Sequence, residues 1–117
     1  MGTTLLRTNF NSSDLVEVPA PSIISDEIVL VLDSRDIPAG RISYIIQNVG
    51  EKIVSLYRGS WDGTNWTINT APFAILVPNN LGSYTSPEPC AYHGPIYAGV
   101  ADEYDTTSGY LLVSESY

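Results

Sequence analysis

Cys90 and His93 are the only cysteine and the only histidine of the chain, and they stand three residues apart in Cys90-Ala91-Tyr92-His93. A nucleophilic dyad needs the thiolate within hydrogen-bond reach of the imidazole, and a third group to orient the ring. In an extended segment, positions i and i+3 point to opposite faces, which separates the pair. A zinc site needs two further ligands, and no other Cys or His exists to supply them. The pair therefore reads as a packed thiol and a hydrogen-bonded loop imidazole.

The densest acidic group is Asp102-Glu103-Tyr104-Asp105, followed by Thr106, Thr107 and Ser108. A hard cation such as Ca²⁺ takes oxygens from flexible loops of this composition. The order of a calcium-binding EF-hand loop is missing, so the segment reads as a solvated acidic loop, with weak cation binding as its alternative. Glycosidase chemistry needs two carboxylates across a cleft, for which 117 residues leave little room. Gly-rich phosphate loops and a Gly-x-Ser-x-Gly elbow are absent. No enzymatic activity, metal or cofactor is expected.

Aromatic residues are the remaining signal, with eight Tyr and two Trp against two Phe. Tyr and Trp combine an apolar body with a polar tip, which suits interfaces and sugar platforms. Trp61 and Trp66 lie around a turn, and Tyr84, Tyr92 and Tyr104 lie in or beside loops. Tyr44, Tyr57 and Tyr97 fall inside strands and are expected to be half-buried core without functional weight.

The elements that must position these residues are strands. Residues 27–33 form a continuous aliphatic, β-branched run, followed at 34–40 by Asp, Pro and Gly as turn chemistry. Residues 41–49 alternate, with Ile42, Tyr44 and Ile46 on one side and Ser43, Ile45 and Gln47 on the other. Residues 52–58 alternate again, Ile53, Ser55 and Tyr57 against Val54 and Leu56. Asn48-Val49-Gly50-Glu51 between them predicts a hairpin. Further strands are predicted at 65–69, 73–77, the start of 82–94, 95–101 and 110–115. No window carries helical periodicity beyond about two turns. Six to eight short strands at even spacing predict an all-β antiparallel sandwich or a small, partly open barrel. Residues 23–117 are assigned to this domain.

Residues 1–22 differ, because Asn, Ser and Pro interrupt short apolar pieces. They read either as a frayed terminus or as an extended N-terminal arm whose Leu5, Leu6 and Phe10 dock on a neighbour. The segment MGTTLLRTNF has no apolar core of the secretory kind, and the longest aliphatic run, residues 28–32, is far short of a membrane span.

Charge narrows the partners. Charged residues are 15% of the chain, against about 25% in a typical soluble protein. The net charge is −8, and all five basic residues lie at or before Arg58. Binding to nucleic acid or to an anionic membrane needs clustered Lys or Arg, so neither partner is expected.

One ordered series of segments has a known counterpart. Arg41-Ile42-Ser43-Tyr44-Ile45-Ile46-Gln47-Asn48-Val49-Gly50 leads into an aliphatic strand at 53–57, then into Ile75-Leu76-Val77-Pro78-Asn79-Asn80. Gly94-Pro95-Ile96-Tyr97-Ala98 and Val113-Ser114-Glu115 follow. In this order the chain, over residues 23–115, resembles small β-sandwich structural proteins of tailed bacteriophage virions. Residues 59–71, which hold both Trp, are longer than the plain turn of that pattern, and residues 1–22 have no match in it.

The resemblance implies a virion structural role, most often a capsid decoration (cement) or minor capsid protein. It implies the major capsid protein as partner, a place on the outer capsid surface after assembly in the host cytoplasm, and a small cyclic homo-oligomer, a trimer in the first instance. Leu5, Leu6, Phe10, Trp61 and Trp66 are the capsid-contact candidates. Electrostatic docking would instead use the half holding Arg7, Arg35, Arg41, Lys52 and Arg58. The alternative is a carbohydrate- or receptor-binding module of a phage tail or fibre, with Trp61, Trp66 and loop Tyr as stacking platforms.

Overall fold

Alternation with a period of two, interrupted by Pro, Gly and Asn, yields nine antiparallel strands and no helix in the computed structural model, which describes residues 12–20, 28–34, 43–86, 92–101 and 107–116. The strands are β1 (Ser12–Val18), β2 (Ile28–Leu32), β3 (Ser43–Asn48), β4 (Val54–Trp61) and β5 (Trp66–Ile68). They continue as β6 (Ala74–Leu76), β7 (Ser83–Thr85), β8 (Ile96–Val100) and β9 (Gly109–Ser116). Sheet A has the order β1-β9-β3-β7; sheet B has β2-β8-β4-β5, with β6 also paired to β4. The all-β class is as expected.

The eight segments that alternation marked all form strands, and β1 is the ninth. It lies within residues 1–22, the segment assigned to the arm. Ser12–Val18 instead pairs along its whole length with β9, from Ser12↔Glu115 to Val18↔Gly109. Val18 is fully buried in the core, which gives this segment a reason to dock on its own domain.

The two sheets close on a shared core. Sheet A contributes Val18, Tyr44, Ile46, Leu111 and Val113, and sheet B contributes Leu32, Val54, Leu56, Leu76, Ile96 and Ala98. Strict alternation carries this partition: in β9 the buried positions are Gly109, Leu111, Val113 and Glu115.

The hairpin predicted between residues 41–49 and 52–58 does not form. β3 pairs with β9 and β7, and β4 with β8, β5 and β6, so the two strands belong to opposite sheets. Asn48 explains the outcome. It is fully buried at the end of β3, and its Nδ2 donates to the carbonyls of Lys52 (2.6 Å) and Leu76 (3.0 Å). Its Oδ1 accepts the Gly50 N–H at 3.1 Å. Gly50 lies so close to β9 that a Cβ would stand 2.8 Å from the Tyr110 nitrogen. The chain is thereby turned across the sandwich instead of back along the same sheet.

Candidate functional site

The register of sheet B settles which side chains share its outer face. Leu30, Tyr97 and Tyr57 stand side by side across β2, β8 and β4. The next row is Ile28, Gly99, Ser55 and Ile75. Toward the far end of β4 the same face carries Gly59 beside Ile68, and Trp61 beside Trp66. Among the described residues, none of the side chains in these rows is charged, although the chain carries −8 overall. Leu30 is 47% exposed and Ile75 61%. Tyr57 and Tyr97, expected in the core, are half-buried on this outer face; only Tyr44 of the three strand tyrosines is interior.

β4 runs past the last residue it pairs with β8, Arg58↔Ile96, and turns into β5 as a hairpin. The rings of Trp61 and Trp66 lie 5.4 Å apart with planes tilted by 55°. Trp66 is the braced member. Its ring meets Tyr92 edge-on at 6.3 Å and covers Gly59 and Gly94, where added Cβ atoms would stand 2.9 and 2.6 Å from the indole. The Tyr92 hydroxyl accepts the Gly59 N–H at 2.7 Å and donates to the Pro95 carbonyl at 2.5 Å. Trp61, by contrast, is 56% exposed.

The turn between the two Trp is organised by Asp62. Its Oδ1 accepts the N–H groups of Thr64 (2.8 Å) and Asn65 (2.7 Å), and the Asp62 N–H donates to the Asn65 carbonyl at 3.2 Å. Gly63 takes φ 100°, a conformation natural to glycine. The hydrogen bonds from Asn65 and Thr64, in that order of weight, hold the Asp62 carboxyl below its ordinary 3.8.

Arg58 follows Val54 and Leu56 at even spacing and so faces inward, at the end of the core. Its guanidinium carbon lies 4.3 Å from the centre of the Phe73 ring and 5.4 Å from that of Tyr92, while Nη2 donates to the Tyr84 hydroxyl at 3.3 Å. The buried Nε has no hydrogen-bond partner. A weakly hydrated, planar cation stacked on rings tolerates this setting better than an ammonium would. Lys52 is half-buried and engaged in the structure.

The other sequence candidates (Leu5, Leu6, Arg7, Phe10, Arg35 and Arg41) lie outside the described residues, as do Cys90 and the 102–105 cluster. No group of three or more metal-capable side chains occurs among the described residues. No described helix is long and apolar enough to cross a membrane. The uncharged outer face of sheet B escaped the sequence reading. Its signal was present, since the positions alternating with Val54 and Leu56 are Ser55, Tyr57 and Gly59 rather than charged residues.

No protein-family model matches the sequence, and no curated protein matches it. Among solved structures, the crystal structure of PirA is similar to this chain, with a TM-score of 0.58 at 15% identity over 94% of this chain and 98% of that one. At that identity the likeness is one of fold.

Proposed function

We propose that this protein is a non-catalytic structural component of a phage particle, a capsid decoration or minor capsid protein that docks through the outer face of sheet B. The observation that carries this reading is the uncharged face itself. An antiparallel sheet of a sandwich usually presents polar side chains to water. Here Leu30, Tyr57, Tyr97 and Ile75 take those positions, in a chain otherwise rich in carboxylates. Exposed apolar area of this kind marks surfaces that a partner covers. The resemblance of residues 23–115 to virion β-sandwich proteins supplies the partner, the major capsid lattice.

A ligand that binds only the assembled lattice stabilises it by mass action, which is how decoration would reinforce a shell under internal pressure. Carboxylates kept off the docking face would repel other polyanions from the particle surface. Imaging of intact particles together with gel densitometry tests the proposal. Density over the capsid shell, at a copy number in step with the major capsid protein, is the expected result. Density confined to the tail overturns it.

A further inference from the structure

The hairpin tip between Trp61 and Trp66 combines an exposed indole with a turn ordered by its own hydrogen bonds. Trp61 is 56% exposed, with Trp66 tilted against it at 5.4 Å and pinned from behind by Tyr92. One indole face is thus supported by protein while the side chain remains open to a ligand. Both turn hydrogen bonds of Asp62 fall on Oδ1, which leaves Oδ2 as an acceptor at the tip. Thr64 and Asn65, both exposed, add a hydroxyl and an amide to the same turn. A Cβ built on Gly63 meets nothing within 4 Å, so there is space next to the carboxylate.

An exposed aromatic ring next in sequence to a turn that carries a hydrogen-bonded carboxylate, an amide and a hydroxyl suits one kind of ligand. A pyranose presents a face of C–H groups to an aromatic ring and hydroxyls around its rim. A carboxylate oxygen accepting a sugar hydroxyl makes a charge-assisted hydrogen bond, stronger than a neutral one. Anionic ligands are disfavoured by Asp62 and by the −8 charge of the chain. A quaternary ammonium would need a cage of several aromatic faces. Here Trp66 turns an edge-braced, half-buried ring to the site, which leaves a single platform.

We infer that the Trp61–Trp66 hairpin tip is a binding subsite for a neutral sugar residue, which stacks on Trp61 and donates hydroxyl groups to Asp62 Oδ2. The turn is ordered by its own hydrogen bonds before any ligand arrives, so little freedom is lost on binding. The inference does not rest on the virion reading, because none of the observations behind it involves Leu30, Tyr57, Tyr97 or Ile75.

The test is a titration of the full chain, followed by tryptophan fluorescence and calorimetry. The probes are hexamers of glucose, mannose and N-acetylglucosamine, with polygalacturonate and choline as charged controls. At least one neutral hexamer should shift the emission saturably. Trp61→Ala should abolish binding, and because Trp61 is exposed the variant should fold normally by circular dichroism. Asp62→Asn keeps an oxygen for the turn but replaces the carboxylate, so affinity should fall on the order of tenfold. No response to any neutral hexamer, an undiminished response in Trp61→Ala, an unchanged affinity in Asp62→Asn, or a response to choline or polygalacturonate alone overturns the inference.

Discussion

The outer faces of the two sheets both expose apolar side chains, but only that of sheet A mixes them with a carboxylate and an amide. On sheet A, the row Leu15, Leu112, Gln47, Ser83 and the row Ser13, Ser114, Ile45, Thr85 mix aliphatic, hydroxyl and amide side chains. Glu17 stands beside Tyr110 on the same face, and the hydroxyls of Ser13 and Ser114 are hydrogen-bonded at 2.9 Å. Sheet B replaces that mixture with tyrosines, aliphatics, glycine and a single buried serine. The fully buried hydrophobic positions of the two sheets, in contrast, are alike aliphatic, with Tyr44 added on the A side. A partner that covers sheet B would account for the absence of charge from its rows.

If the difference lies only outside, the two inner faces should respond alike to damage. Leu56→Ala in β4 and Leu111→Ala in β9 each remove a fully buried side chain from an inner strand. Each should cost about 2–5 kcal/mol in urea unfolding, and the two costs should agree within about 1.5 kcal/mol. A large disparity would mean that one sheet carries the fold and that the outer faces follow from it.

The outer faces should part under a matched pair of double substitutions. Leu30→Asp with Ile75→Asp on sheet B should weaken particle binding about a hundredfold, the size expected when interface anchors are lost. Leu15→Asp with Leu112→Asp on sheet A should leave binding within about twofold, because a rim or non-interface surface tolerates charge. Co-sedimentation with stripped particles reads both. Release by the sheet A pair alone would invert the assignment.

A smaller effect separates brace from platform. Tyr92→Phe removes the hydroxyl that joins the Gly59 N–H to the Pro95 carbonyl, at a cost of about 1–3 kcal/mol. Amide exchange should quicken at Gly59 and in β5 while β9 and β3 keep their protection. The smallest effect is a pH dependence confined to the hairpin tip. Folding lowers the Asp62 pKa, so its support for the turn is complete above the ordinary 3.8 and fades as pH falls through the lower folded value. Amide shifts of Thr64 and Asn65 should hold steady from neutral pH down to that range and move only below it.

Much of this comparison was readable from residue order. The division of Tyr44 and Ile46 from Ile45 and Gln47, and of Val54 and Leu56 from Ser55 and Tyr57, is the one that the two faces of β3 and β4 show. Assignment of those strands to sheets was not readable, because Asn48 and Gly50 are also good hairpin residues. What decides the matter is a set of partners from distant segments, Leu76 and Tyr110, which local sequence does not reveal. Tyr57 and Tyr97 were misplaced for a related reason. A tyrosine fits an inner or a covered outer face equally well, and only pairing with Leu30 shows which it is. Residues 12–18 resembled a tail because Asn, Ser and Pro interrupt the short apolar pieces of residues 1–22, Leu15-Val16 among them, a composition that an edge strand half turned to solvent also tolerates. Both Trp were visible from the start, but not their unequal roles, because the burial of Trp66 depends on Tyr92 and Gly94.

β9 is an inner strand of sheet A, held between β1 and β3, yet it comprises residues 109–116, whereas every strand of sheet B is complete by Val100. A chain truncated after Ala101 would therefore hold every strand of sheet B and still lack the strand that joins the two sides of sheet A. The inner face of sheet B would then have no finished lid, and β1 no strand to pair with. β9 joins the first described strand to the others in one non-local step, the kind of contact that closes slowly. A chain ending at Ala101 should thus be protease-sensitive and the full chain resistant.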